Sequence, residues 1–333
     1  MASKRHNRYS GIGGQAVLEG IMMKNKDKYA VAVRKPDGEI EVELDTYSSV
    51  IQDSKLLKIP FIRGIFNFID SLVLGMRSLN FSASFYEDVE AEETKLDKVL
   101  NKIFKDKTEA VFSGIATIFA VALAVGIFMV LPYFLTSLLE GYIRNESLIL
   151  IIEGVIRILI FIAYVLSISL MKDISRLYCY HGAEHKCINC IERGRPLTVY
   201  NVMRSSRQHK RCGTSFMLFV MLVSIVLLFF IRVENPVYRV FVRIALLPVI
   251  AGISYEIIRL AGRSNNILVR IISAPGLFLQ GLTTREPDES MVEVAIAAVE
   301  AVFDWKAYQK ETFGYVNDDA WQEDIEMPDL DDI

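Results

Sequence analysis

From Ala110 to Leu139 the chain runs without a single charged side chain. A helix over that run exceeds the roughly 20 residues needed to cross about 30 Å of hydrocarbon. Inside a bilayer the backbone must satisfy its own hydrogen bonds, so the stretch is constrained to be a transmembrane helix. Three more segments follow the same logic. Ser147 to Met171 is apolar except for Glu153 and Arg157, four apart on one helical face, where they can pair inside a bundle. Gly213 to Ile231 carries no charge, and Val237 to Ile257 holds only Arg239 and Arg243 near its start and Glu256 near its end. The expectation is therefore a mainly α, polytopic membrane protein with four transmembrane helices. Amphipathic interfacial helices and a small N-terminal β-hairpin complete the expected fold.

Composition agrees: 52% of the 333 residues are hydrophobic against 23% charged, with a mean hydropathy of +0.31. Only 19 Gly and 4 Cys are present, which excludes collagen and disulfide-dense scaffolds, and the hydrophobic content excludes disorder of the whole chain. The formal charge of -3 hides an uneven distribution. Residues 317–333 hold eight acids and no Lys or Arg, leaving +5 on the rest. A basic body with an acidic tail, expected to be disordered, suits work beside anionic lipid better than nucleic-acid binding.

Lys98, Lys102, Lys105 and Lys107 precede the first span, and nine Lys and Arg residues lie in the 172–212 connection. The two opposite loops hold little beyond Arg144 and Arg232. The positive-inside rule then places both termini and the 172–212 connection in the cytoplasm. Lys4, Arg5 and Arg8 lead into no apolar core, so no secretory signal is expected. All four cysteines fall on the reducing side, which leaves metal binding or packing as their use.

Outside the spans, Arg63, Asp70 and Arg77 recur every seven residues within Leu56–Phe85, with Asn67 between them. One polar stripe on an otherwise apolar helix predicts an interfacial element. Ile267–Leu282 is broken by Pro275-Gly276 and predicts a short interfacial or re-entrant hairpin. Lys28–Tyr47 alternates apolar and polar residues around Pro36-Asp37-Gly38, the mark of a β-hairpin. Pro287-Asp288-Glu289 opens a helix expected to reach about Trp305. Gly11-Ile12-Gly13-Gly14 lacks the flanking pattern of a nucleotide-binding loop.

The chemistry concentrates at His181-Gly182-Ala183-Glu184-His185, of the form H-x-x-E-H, on an expected continuation of the second membrane helix into the cytoplasm. On a helix these three polar positions share a face, so two imidazoles can ligate one divalent metal, zinc by ligand type, while Glu184 takes a proton from coordinated water. Three of the chain's four histidines, His181, His185 and His209, lie within 29 residues. His209 or Glu256 is the expected third ligand, Glu256 because a downstream glutamate often completes such a pair at the same membrane level. A rival site overlaps this one: Cys187-x-x-Cys190 with His209-x-x-Cys212 has the spacing of a structural zinc knuckle. Arg204, Arg207, Lys210 and Arg211 around His209 form a cluster able to clamp phosphate, although topology alone supplies basic residues there.

Five stretches in order carry a family resemblance: GGQAVLEGIMM at 13–23, HGAEHK at 181–186, HKRCGTSF at 209–216, AGISYE at 251–256 and TTREP at 283–287. Over about residues 10–305 the chain resembles the YqhQ family, bacterial membrane proteins of unassigned function described as predicted metal-dependent enzymes. That pattern does not rely on Cys187 or Cys190, and this chain departs from it at Lys210, where a proline is expected. The resemblance implies a metal-dependent enzyme of the bacterial inner membrane; the H-x-x-E-H motif and the spans add the expectation of a hydrolase whose cytoplasmic-face site acts on a membrane-associated substrate. The competing expectation is a non-enzymatic assembly or regulatory protein with a structural metal site. A transporter ranks third, on the Glu153/Arg157 pair.

Overall fold

The computed structural model describes residues 9–49, 51, 58–86, 108–139, 141–143, 145–231, 233, 235–263 and 266–314. The acidic tail and the lysine-rich linker before the first span lie outside them. Strands β1 (Ile12–Val17), β2 (Gly20–Asn25), β3 (Lys28–Arg34) and β4 (Ile40–Thr46) precede the helices. The helices are α1 (Ile62–Ala83), α2 (Thr108–Val125), α3 (Leu131–Ser137), α4 (Glu146–Ser169), α5 (Lys172–Glu192) and α6 (Val199–Met203), then α7 (Gly213–Phe230), α8 (Pro236–Arg263), α9 (Ile267–Thr283), α10 (Glu289–Val302) and α11 (Trp305–Phe313).

Among the described residues, four helical stretches are long and apolar enough to cross a membrane: Ile118–Ser137, Ser147–Ser169, Gly213–Phe230 and Phe241–Gly262. The protein is a multi-pass membrane protein. The first stretch joins α2 to α3 through a π-helical segment, Gly126–Val130, beside Pro132, whose missing N–H removes the bond to Phe128. Ile118, Phe119, Ile151, Val155 and Leu159 face outward, as lipid contact requires, while Phe161, Val165, Leu218, Met221 and Leu279 pack inside the bundle.

The sheet is an antiparallel meander in the order β1-β2-β3-β4. β3 and β4 are the expected hairpin, pairing from Lys28 with Thr46 to Arg34 with Ile40. β1 and β2 extend it; glycines at 11, 13, 14 and 20 had masked their strand character, since glycine has weak β propensity. Alternation along the strands sorts the sheet's two faces. Ile12, Ile21, Met23, Ala30 and Ala32 pack against α5 and α10, while Val17, Met22, Tyr29, Val31 and Val33 form a second cluster with Leu74 of α1. The sheet is thus a middle layer between α1 and the α5/α10 pair.

Three expectations are corrected. α9 is one continuous helix through Pro275 rather than a hairpin, because packing on α7 and α8 holds it together across the bond that proline removes. α5 does not continue α4: extended backbone at Met171 starts a new helix. Three residues of the polar stripe of α1, Arg63, Asn67 and Asp70, face the protein rather than water, while Arg77 is exposed. Arg63 donates to Glu256 at 2.6 and 2.5 Å, Asn67 to the Tyr255 hydroxyl at 3.1 Å, and Asp70 accepts from Tyr47 and Ser49 at 3.0 and 2.6 Å. The outward residues are Phe68, Leu72, Met76 and Leu79, an arrangement suited to lipid.

Candidate metal centre

α5 supplies the centre because its 100° step per residue puts His181, Glu184 and His185 on one side. Cys187 and Cys190 consequently point the other way, into the apolar core with Ile188, Ile191 and Val299. Burial pushes the Cys187 thiol well up, and the Cys190 thiol, which donates to Pro196 O at 3.3 Å, up to about 12. Thiols so disposed are packing residues, and the four-ligand knuckle is not assembled.

Cys212 instead meets the histidines. It is the N-cap of α7, its sulfur accepting from the Thr214 N–H at 3.4 Å, and that position lies 3.2 Å from His181 Nε2. One ligand atom each from His181, His185 and Cys212 lie within 4.8 Å of one another. Tetrahedral zinc with a nitrogen and a sulfur ligand separates those two atoms by about 3.5 Å, close to what is observed.

The ring orientations are fixed from outside. His181 Nδ1 donates to Thr283 O at 2.9 Å and His185 Nδ1 to Arg207 O at 2.6 Å. Carbonyl oxygens only accept, so the Nδ1 atoms carry protons and Nε2 is the atom each ring can offer to a ligand. Donation of the second ring nitrogen to a carbonyl is the usual support of metal-bound histidine. The loop that offers Arg207 O is pinned to α5: Lys186 donates to Met203 O and Ser205 O at 2.7 and 2.9 Å, and Asn189 to Ser206 O and Gln208 O at 2.7 and 2.9 Å.

Electrostatics inside the group are coupled. Burial opposes a Cys212 thiolate, but His181 and His185 outweigh it and bring the thiol well below its ordinary value. Burial likewise lowers His181, yet the Cys212 sulfur and Glu184 raise it to about 9. Glu184 is held above the usual carboxylate range by burial, with His185 and His181 pulling the other way. Its carboxylate accepts from the Gly14 backbone. A Cβ on Gly14 would lie 3.0 Å from Glu184 Cγ and 2.6 Å from Met22 O, so only glycine lets β1 approach this closely. The N-terminal motif approaches the site through Gly14. Gln15 packs on Gly75, and Glu19 binds Arg176 and Tyr180.

The other expected ligands are engaged elsewhere. Glu256 is held by Arg63 on α1. The His209 ring centre lies 5.6 Å from that of His185, tilted to it, but its Nε2 accepts from Arg211 at 3.2 Å and burial lowers its pKa below the ordinary value. Arg211 forms the ion pair with Glu192, which also accepts from Ser10 N and Oγ at 2.9 and 2.8 Å. Arg207 binds Thr284 O and lies 3.6 Å from Glu286, and Arg204 donates to Tyr200, so the arginines serve separate partners. By spacing alone Cys212 is a candidate only through the knuckle. Its signal was its position, immediately before an apolar span and level with H-x-x-E-H.

The model of a family described as "Protein of unknown function (DUF1385)" matches residues 59–305. The chain belongs to the DUF1385 family. A relative from Bacillus subtilis (strain 168), "Uncharacterized protein YqhQ", is 34% identical over 295 residues, covering 88% of this chain and 92% of that protein. The resemblance read from the five motifs is thus correct. No solved structure matches. The DUF1385 match takes in α1, α5 and α10, which pack on the sheet, and every residue of the His181–His185–Cys212 group, while the four strands precede it.

Proposed function

We propose that His181, His185 and Cys212 hold one divalent cation, zinc by ligand chemistry, and that the centre hydrolyses a membrane-associated substrate at the cytoplasmic face, with both termini on that side. The observation that carries this reading is the pair of Nδ1 donations to Thr283 O and Arg207 O, which present both Nε2 atoms toward the Cys212 sulfur. Imidazole and thiolate ligands suit zinc. Three protein ligands leave a fourth position for substrate or water, as catalytic sites do. A bound divalent cation supplies Lewis acidity and makes water acidic enough to attack at neutral pH.

The remaining work falls to this chain's own groups. Glu184, raised by burial and positioned by Gly14, accepts the proton released as water attacks and can return it to the leaving group. His181 is the partly exposed member of the group, so approach is on its side.

The burial of His185, Cys212 and Glu184 favours a second reading, in which the ion only clamps the 172–212 connection. One experiment bears on both. Metal content of the detergent-purified chain should be about one zinc per chain. His181→Ala and Cys212→Ser should lose most of it and Cys187→Ser should keep it. Retention in the first two variants would sink both readings. Metal binding with full complementation of a deletion strain by Glu184→Gln would leave the structural reading.

A further inference from the structure

A second charged cluster lies at the other end of the bundle. About 24 Å of helix separate Glu153 from the Ser169 end of α4, from which α5 carries the histidines onward. Arg157 donates to Glu153 Oε1 at 2.7 Å and to Ser224 Oγ at 2.9 Å. Arg243 of α8 reaches the two oxygens of the same carboxylate at 2.7 and 2.9 Å. It also donates to Met129 O in the π-helical segment at 3.3 Å and lies over the Tyr133 ring. All four spans therefore meet at this point. Glu153, Arg157 and Arg243 are 3, 4 and 3% exposed.

Charge does not balance there. One carboxylate serves two guanidinium groups, so the described residues leave a net positive charge in the hydrocarbon layer, where an uncompensated ion is costly. Hydrogen bonding does not balance either. The Nε–H groups of Arg157 and Arg243 are both buried without an acceptor. Ser224 gives its own proton to Met221 O at 2.7 Å, so it can only accept from Arg157. Beside these groups is a cavity lined by Glu153, Gly154, Arg157, Ile225, Phe229 and Arg243, with room for about one water-sized species.

We propose that this cluster is an intramembrane anion site, taking one halide-sized monovalent anion held by Arg157 and Arg243. Net charge and two orphaned donors favour an anion over water. The small cavity favours a monatomic ion over a phosphate headgroup. Glu153 limits affinity while joining the two arginines. The site is independent of the metal centre and of any reaction there.

The test uses the full chain in detergent, unfolded thermally while sodium chloride or bromide replaces sodium gluconate at constant ionic strength. The wild-type midpoint should rise and saturate with either halide but not with gluconate, because a ligand of the folded state alone stabilises by mass action. Arg243→Gln should abolish the dependence. Glu153→Gln should lower the half-saturating chloride at least about tenfold by removing the competing negative charge. The opposite signs keep the test valid if either variant merely loses stability. Wild-type protein should also broaden the chlorine-35 resonance, and bromide should reverse the broadening. Equal wild-type midpoints in chloride and gluconate, an unaltered chloride dependence in folded Glu153→Gln, or equal stabilisation by sulfate or phosphate would each overturn the assignment.

Discussion

Cys212 combines two properties that a buried thiol seldom has together: it caps a long helix, and it faces an imidazole 3.2 Å away. The α7 N-terminus and the histidines both favour its thiolate. Because thiolate and neutral imidazole are the ligating forms, protons compete with metal. Metal occupancy is expected to be full near neutral pH and to fall as the pH drops toward about 5, which stepwise dialysis with metal analysis would show. Glu184→Gln, by contrast, should keep the metal and lose complementation. Glu192 offers a separate pH test. Burial raises its carboxyl, but its partners overcome this and hold it at about 2, against an ordinary 4.5. A lowered carboxyl stabilises the fold fully above its unfolded value and loses that contribution as pH falls through its folded one. Wild-type protein should therefore lose up to about 3 kcal/mol between about pH 4.5 and 2. A Glu192→Gln chain should be weaker at neutrality and flatter across that window in thermal melts.

At the scale of elements, the centre depends on how closely α5 lies against the segment after α9. A Cβ on Gly182 would fall 2.1 Å from Arg285 O, whereas one on Gly281 would meet nothing within 4 Å. Gly182→Ala should push α5 from the Thr283 carbonyl that orients His181, costing about 1–3 kcal/mol and much of the metal affinity. Gly281→Ala should be neutral or stabilise by up to about 1 kcal/mol. Melting midpoint and metal content together distinguish the two; equal effects would show that the α5–Arg285 approach does not control the site. The motif spacing disclosed none of this. His181 and Thr283 are 102 residues apart, and no local pattern announces that one carbonyl will fix the other's ring.

For the whole molecule, the proposed topology has four crossings with both termini on one side, the cytoplasmic one by the positive flanks. Tyr142, 89% exposed between the first two spans, and Glu300 on α10 are accessible positions for testing this. Tyr142→Cys should react with an impermeant thiol reagent added to intact cells, and Glu300→Cys only after permeabilisation. The reverse pattern would invert the orientation and place the metal centre outside. In the proposed orientation the sheet layer closes the cytoplasmic side of the centre while α1 turns its apolar side to lipid, which suits a substrate held in the membrane.

The spans, the β3–β4 hairpin, the helix after Pro287 and the His181/His185 pair were all legible in the sequence, because each rests on local physics: uncharged length, alternation, capping and helical spacing. The same local spacing placed Glu153 beside Arg157. Residues distant in sequence required tertiary structure. Cys212 rather than Glu256 joins the histidines because Arg63, 193 residues away, takes the Glu256 carboxylate. Cys187 and Cys190 turn from the site because one unbroken α5 separates their face from that of the histidines. Gly14 reaches Glu184 only because β1 and β2 pair, which glycine-rich sequence conceals. Periodicity within a segment determines which of its residues share a face; which neighbour that face meets is decided by packing among segments, where burial and charge are balanced over the whole chain.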